Sequence, residues 1–385
     1  MKVFSFLARL AAILCLLVPQ AVQADDVVKV GVTVSLTGKY NEPGLEQHRG
    51  IQMWASDLNA RGALLGKRVR VVYYDDESDR GTSARLYQRL ITEDKVDLLI
   101  GPYSSGLTLS ASEVAEQHDF PMVAAGAASD EIWERGYRNI FGIETPSTRY
   151  MEPVVEFAKE QGLKNIAIFY ADNEFPHEVA AGVRSQAATA GLNIVFDEEY
   201  PRDSTDFVTL VERMGASKPD IVIGGTYFDD SVAFVRQAKK SNLQPKAFVF
   251  TVGPALTQFG DALGADAEGI MGVVQWLRSD RMPAGYDFSY RYERKYGRNA
   301  GHHAAYGYSA GQVLEAAVRL AGSLDKDSIR EQLGEMKFRS LLGHYRVDET
   351  GKQVANKTTV LQWQEGHRRL ILPEQMAERP FRLLR

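Results

Sequence analysis

The sequence contains one segment with the spacing of a hydrolase nucleophile. Residues 307–311, with the sequence GYSAG, match the G-x-S-x-G pattern, in which a serine on a strained strand-to-helix turn attacks an acyl group. His344 and His367 follow downstream and would complete a catalytic triad. The residues before Ser309 are not typical of a strand, and the pattern after it continues as a helix. We therefore predict that Ser309 lies inside a helix, and a secreted serine hydrolase using Ser309 remains the alternative from another functional class.

Other catalytic and metal-binding patterns are incomplete. Residues 62–67 are one residue short of a phosphate-binding P-loop, and they follow a helix instead of a strand. The pair His177-Glu178 lacks the second histidine of a zinc protease, because Ala181 stands in its place. His302 and His303 are adjacent, and adjacent residues of a helix point in different directions. We predict no catalytic residue, no metal site and no cofactor.

A loop at residues 101–106, with the sequence GPYSSG, has the residue types that bind an anion without a metal. It joins the end of a predicted strand to the start of a predicted helix, where backbone N–H groups have no internal partner and attract negative charge. Ser104 or Ser105 can add a hydroxyl donor. Ligands of open α/β sheets bind beyond the carboxyl ends of parallel strands. We predict that Tyr103, Ser104 and Ser105 contact a ligand, which is compatible with helix capping by a serine.

A second loop of the same kind follows the next predicted strand. Residues 125–130, with the sequence AGAASD, are small and let the backbone approach a ligand closely. We predict ligand contact by Gly126, Ala127 and Ala128, and a plain strand-to-helix turn is the alternative.

Two series of elements position these loops. Short apolar runs typical of strands alternate with helical patterns over residues 28–124 and again over residues 165–250. Such alternation predicts parallel sheets with helices on both faces, hence two doubly wound α/β lobes. The last third has long helical patterns, followed by strands predicted at residues 338–347 and 358–364 around a turn at 348–351. Because these helices have no sheet of their own, the chain should cross between the lobes more than once.

The N-terminus has the pattern of a cleaved secretory signal. Lys2 and Arg9 precede a short apolar run, and small residues at the −3 and −1 positions, Val22 and Ala24, predict cleavage after Ala24. The single cysteine, Cys15, lies inside the apolar run and is removed with it. The mature protein would then contain no cysteine, which fits a periplasmic location, and no second apolar stretch has spanning length, so we expect a soluble product.

Length and charge exclude some functions. The chain has 385 residues and a net charge of −5, which becomes −7 when Lys2 and Arg9 are lost. A mildly acidic chain without a basic tract is a poor candidate for binding nucleic acid, because phosphate contacts need clustered Lys and Arg. The remaining length suits two domains.

Several segments, in order and spacing, resemble the leucine/isoleucine/valine-binding family of ABC-importer receptors, over nearly the whole mature chain. The matching segments are residues 30–38, 51–62 with the ending DLNARG, 74–76 with the sequence YDD, 100–105 with IGPYSS, and 135–141. The resemblance implies a type I periplasmic binding protein: two α/β lobes joined by a multi-strand hinge, with no enzymatic activity. It implies delivery of a small carboxylate, such as a branched-chain amino acid, to an ABC permease in the inner membrane, and a sensory role is the alternative.

The resemblance also implies lobe boundaries and site residues. Lobe 1 would comprise residues 27–144 and 276–350, and lobe 2 residues 145–275 and 351–385. Ser105, with Ala127 and Ala128 of the second loop, would hold the ligand carboxylate, although a threonine common in the family is replaced by Ala128. Phe175 and Tyr227 fall at the positions of aromatic ligand contacts in the other lobe.

The acid that pairs with the ligand ammonium in the family has no counterpart at its usual position, where Val252 stands. A buried ammonium without a carboxylate would be costly. Either Asp172, Asp229 or Asp230 supplies the charge, or the ligand is an aromatic or other amine-free carboxylate.

Overall fold

The computed structural model describes residues 27–279 and 283–384. The predicted signal peptide and Cys15 lie outside these residues. Within the described residues, no helix combines the length and apolar character needed to cross a membrane.

The first βαβ series forms a sheet of parallel strands. Its strands are β1 (Val27–Val34), β2 (Arg68–Asp75), β3 (Leu98–Ile100), β4 (Met122–Ala124) and β5 (Ile140–Gly142). Its helices are α1 (Asn41–Ala60), α2 (Arg80–Thr92), α3 (Ser105–Gln117) and α4 (Glu131–Glu134). The strand order is β2-β1-β3-β4-β5, and all its pairings are parallel. The doubly wound sheet predicted for this part of the chain is therefore confirmed.

The second series follows the same pattern. Its strands are β6 (Asn165–Ala171), β7 (Asn193–Tyr200), β8 (Ile221–Gly225), β9 (Ala247–Phe250) and β10 (Met271–Val274). Its helices are α5 (Glu152–Glu160), α6 (Glu174–Ala190), α7 (Val208–Ala216), α8 (Phe228–Ala238) and α9 (Thr257–Leu263). Neighbouring strands again pair in parallel. The prediction missed β5 and β10, which lie just beyond the two predicted series at residues 28–124 and 165–250.

Helices of the last third share a hydrophobic core with the first sheet. They are α10 (Pro283–Tyr296), α11 (His302–Ala321) and α12 (Lys326–Glu335). Helix α11 lies directly against α1, and glycines allow the close approach: a Cβ on Gly307 would lie 2.0 Å from Gln47 O, and one on Gly50 would lie 2.0 Å from Ala304 O. This packing fixes the start of α11 beside the end of the first sheet.

The strand predicted at residues 338–347 is wrong. This segment forms a hairpin of β11 (Phe338–Ser340) and β12 (Gly343–Tyr345), which is a two-stranded sheet of its own. Gly343 has φ of 119°, a conformation that side chains disfavour, and it allows the chain to reverse there.

The chain ends on the second sheet with β13 (Thr359–Gln364) and β14 (His367–Leu372). Both pair antiparallel, and the full order of this sheet is β14-β13-β10-β9-β8-β6-β7. The strand predicted at 358–364 is confirmed, and the antiparallel edge was not predicted. Short 3-10 helices lie at Ser147–Arg149, Gly253–Ala255, Gly264–Ala267 and Glu374–Met376.

Three segments cross between the sheets, and hydrogen bonds tie them together. Thr145 N donates to Gln275 Oε1 at 2.7 Å, and Gly142 N donates to Gly351 O at 2.8 Å. These contacts lie at the boundaries of the predicted lobes, near Glu144-Thr145, Val274-Gln275 and Thr350-Gly351. We therefore propose the predicted boundaries: lobe 1 as residues 27–144 and 276–350, lobe 2 as residues 145–275 and 351–385.

Candidate ligand-binding site

A small cavity lies between the lobes, at the carboxyl ends of strands from both sheets. Its volume is about 30 Å³, and it is lined by Tyr103, Ser104, Ser105, Gly126, Ala128, Glu144, Tyr150, Phe175, Tyr227, Val252, His302, His303 and Tyr306. Loops after β3, β4, β5, β6, β8 and β9 contribute to this wall. Because one water needs roughly 10–15 Å³ of such volume, an amino acid would enter only when the lobes part.

The structure brings most of the predicted ligand contacts together. Seven of the eight predicted residues line the cavity, and Ala127 is buried without lining it. The lining residues come from both lobes, as the prediction required. Their role in binding a ligand remains a prediction.

Ser105 joins the two predicted loops. Its Oγ accepts hydrogen bonds from Ala128 N at 3.2 Å and from Ser129 N at 3.1 Å. Those backbone N–H groups are therefore already partnered, while the Ser105 hydroxyl still has its proton to donate. This side chain ties the loop after β4 to the start of α3, beside the backbone bridge between Tyr103 and Gly126.

Ser104 is different, because its hydroxyl is uncommitted. It occupies the N-cap position of α3 but makes no capping hydrogen bond with its side chain. Ser104 Oγ is buried and has no hydrogen-bond partner among the described residues. A buried hydroxyl without a partner is unusual, and a polar ligand at the start of α3 would satisfy it.

Glu144 also belongs to this wall, although the sequence analysis named residue 144 only as the end of a lobe 1 segment. Its side chain lines the cavity and is 4% exposed. Oε2 accepts from Gln275 Nε2 at 3.4 Å. Burial raises the pKa of Glu144 well above its usual value, and the nearby backbone N–H of Ala127 offsets part of this increase. The sequence signal that could have identified Glu144 is its position just after a strand end, which the two predicted loops share.

Aromatic rings form most of the remaining wall. Tyr150 and Phe175 meet edge to face with centroids 5.2 Å apart, and Phe175 lies 6.5 Å from Tyr227. Tyr40, which the sequence analysis did not single out, contacts the rings of Tyr103 and Tyr227, with centroid distances of 5.7 Å in both cases. Because Tyr103 belongs to lobe 1 and Tyr227 to lobe 2, Tyr40 bridges the closed interface.

The prediction that His302 and His303 point in different directions is wrong. Their ring centroids are 3.8 Å apart, and both side chains line the cavity from the first turn of α11. Burial lowers the pKa of His302 to about 3 and that of His303 well below its usual value. Both imidazoles are therefore neutral near pH 7 and supply no positive charge.

Comparison with known proteins assigns this architecture to a family. A family model described as "Periplasmic binding protein" matches residues 27–368. The chain belongs to the periplasmic binding protein family. Among curated proteins, Leu/Ile/Val-binding protein homolog 7 of Brucella suis biovar 1 (strain 1330) is 26% identical over 383 residues, covering 94% of this chain and 96% of the relative.

Solved structures share the fold of this periplasmic binding protein. The leucine binding protein LivK from Thermotoga maritima MSB8 superposes with a TM-score of 0.81 at 22% identity, over 89% of this chain and 97% of the other. The solute binding protein from Rhodopseudomonas palustris BisB5, in complex with 3,4-dihydroxy benzoic acid, superposes with a TM-score of 0.77 at 21% identity, over 89% and 95%.

None of the acids suggested for an ammonium lines the cavity of this periplasmic binding protein. The Asp172 side chain is 64% exposed and lies with His177 in a separate surface cleft. Asp229 is absent from the wall, and Asp230 is buried nearby, where its Oδ2 accepts from Tyr200 OH at 2.7 Å. Burial raises the pKa of Asp230 to about 6. Val252 does line the cavity, so an apolar group stands where the family has its acid.

The hydrolase alternative has no geometric support. Ser309 lies in the interior of α11 and is fully buried, which confirms its predicted helical position. A nucleophile of this kind would sit on an exposed strand-to-helix turn. His344 lies in β12 and His367 in β14, and neither hydrogen-bonds to Ser309, whose Oγ has no partner among the described residues. Periplasmic binding proteins bind substrates and are not enzymes.

Proposed function

We propose that this protein is the substrate-binding component of an ABC importer that captures a small carboxylate, foremost an amino acid of the branched-chain type. The observation that supports this most is the meeting of loops from both lobes around one cavity. The Ser104 hydroxyl and the Ser105 proton, at the start of α3, are free to donate to a carboxylate. The relatives named Leu/Ile/Val-binding protein homologs agree with this assignment.

The proposal includes export and a membrane partner. The N-terminal pattern supports secretion to the periplasm with cleavage after Ala24. The ligand would then be handed to an ABC permease in the inner membrane, with Glu144-Thr145, Val274-Gln275 and Thr350-Gly351 absorbing the hinge motion.

An aromatic carboxylate is the second candidate ligand. The rings of Tyr150, Phe175 and Tyr227 line the cavity and would stack on an aromatic acid. The structurally similar Rhodopseudomonas palustris protein was solved with 3,4-dihydroxy benzoic acid.

Thermal shift measurements on the mature protein, with the amino acids and a set of benzoates, test the proposal. A ligand that binds only the folded protein, at about 100 times its Kd, stabilises it by about 2.7 kcal/mol. Small-angle scattering with the strongest hit should then show a smaller radius of gyration, since the hinged lobes close on the ligand. An unchanged radius at saturation would contradict capture between the lobes.

A further inference from the structure

We infer that Glu144 recognises a positively charged amine on the ligand, so that the site selects amine-bearing carboxylates over amine-free ones. This inference rests on the proposed function and narrows its substrate class. It places the amine-binding acid in lobe 1, at the first crossover, and not at position 252 in lobe 2.

The first support is an imbalance of charge in the cavity wall. Glu144 is the acid of this wall, and no lysine or arginine among the described residues lines the cavity. Glu144 Oε1 has no hydrogen-bond partner at good geometry among those residues, Oε2 accepts the long contact from Gln275, and the backbone N–H of Ala127 lies nearby. A buried carboxylate without a cation is strongly disfavoured. A ligand amine would supply the missing charge.

The rings around Glu144 suit a cation as well. Tyr103, Tyr150 and Tyr306 are close enough that a charge on Glu144 raises the pKa of each. The faces of aromatic rings attract cations, most strongly when water is excluded. Because His302 and His303 are neutral, they do not oppose a positive charge at this position.

An amine-free carboxylate would be repelled by Glu144 instead of attracted to it. An ionised Glu144 repels a second carboxylate in the same cavity, so such a ligand would bind only while Glu144 stays protonated. An amine, in contrast, binds the ionised form. Since burial holds the Glu144 pKa high in this structure, an amine that binds the ionised form should displace the proton of Glu144, and affinity for amines should rise with pH. The titratable groups facing Glu144 are Tyr103, Tyr150, Tyr306, His302 and His303.

The test is isothermal titration calorimetry on the mature protein with two matched pairs of probes. L-Leucine is compared with 4-methylpentanoate, and L-phenylalanine with 3-phenylpropanoate, each in two buffers of different ionisation enthalpy. Glu144→Gln keeps the shape and removes the charge. Asp172→Asn is the matched control, because Asp172 is an exposed acid of a separate cleft and does not line the cavity.

We expect the wild type to prefer the amine of at least one pair by at least about tenfold, with proton release that the amine-free probe does not show. Glu144→Gln should weaken amine binding by roughly ten- to a hundredfold, the range of a lost charged hydrogen bond, and leave the amine-free probe unchanged or tighter. Asp172→Asn should bind like the wild type.

Equal affinity for both members of each pair, without proton release, would overturn the inference while leaving carboxylate capture intact. The inference would also be overturned if Asp172→Asn abolished the preference for the amine and Glu144→Gln did not. The proton-release measurement needs no variant, so its absence with both amines would overturn the inference even if Glu144→Gln does not fold. Failure of the wild type to bind any probe or any compound of the thermal shift panel would instead refute the proposed function.

Discussion

The two walls of the cavity differ in chemistry. Lobe 1 contributes Ser104, Ser105 and Glu144, which are polar, buried and incompletely hydrogen-bonded. Lobe 2 contributes Phe175 and Val252, together with other rings, and no charged group. The two halves of the site, although built from the same βαβ plan, therefore present different surfaces to one ligand.

This difference divides the work of recognition. Buried polar groups without partners cost about 1–3 kcal/mol each, so a ligand that satisfies them gains specificity for its functional groups. Apolar ligand surface that is buried against an apolar wall contributes about 25 cal/mol per Å² to binding, so such a wall discriminates between ligands by size and shape. Lobe 1 should therefore select ligands by their charged groups, and lobe 2 should select them by the size of their side chain.

Apart from Glu144→Gln, we expect Ser105→Ala to have the largest effect on ligand binding among changes in the lobe 1 wall. Ser105→Ala leaves the N–H groups of Ala128 and Ser129 without their acceptor, which should cost about 2 kcal/mol of folding stability and weaken ligand binding by roughly ten- to a hundredfold. Denaturant unfolding without ligand and calorimetry with ligand separate the two effects.

Ser104→Ala is the matched control for this prediction. Because Ser104 Oγ has no hydrogen-bond partner among the described residues, its loss should leave unfolding unchanged and affect binding alone. If Ser105→Ala were as stable as the wild type, the two loops would not depend on Ser105.

A smaller effect is expected from the lobe 2 wall. Phe175→Leu removes the edge-to-face contact with Tyr150, which is worth about 0.5–1.5 kcal/mol of folding stability. It also takes ring surface from the cavity wall, and since each buried CH₂ contributes about 0.8 kcal/mol, affinity should fall by roughly two- to tenfold. The preference between L-phenylalanine and L-leucine should shift, and the preference for the amine should not. A changed amine preference in a competition titration would break the division between the walls.

The smallest effect is expected outside both walls, at Ser309. Ser309→Ala removes a buried hydroxyl without a described partner, so binding should be unchanged and the melting temperature equal or slightly higher. A fluorophosphonate probe should not label the wild type. Stoichiometric labelling at Ser309 would restore the hydrolase alternative.

Local patterns predicted much of this molecule. The loops at 101–106 and 125–130 were recognisable because a strand end, small residues and a helix start are neighbours in sequence. The helical position of Ser309 was predictable for the same reason. The hairpin at 338–345 was not, because Gly343 reverses the chain inside what looks like one continuous strand.

By itself, the sequence determined the two βαβ series and the lobe 1 loops, since both follow from periodicity and turn chemistry over short distances. Only the tertiary structure decided that Glu144 faces the cavity, that His302 and His303 lie side by side there, and that Asp172, Asp229 and Asp230 do not line it. The physical reason is that a side chain acquires its partners from strand order and lobe contact. These bring together residues such as Glu144 and Gln275, which are 131 positions apart.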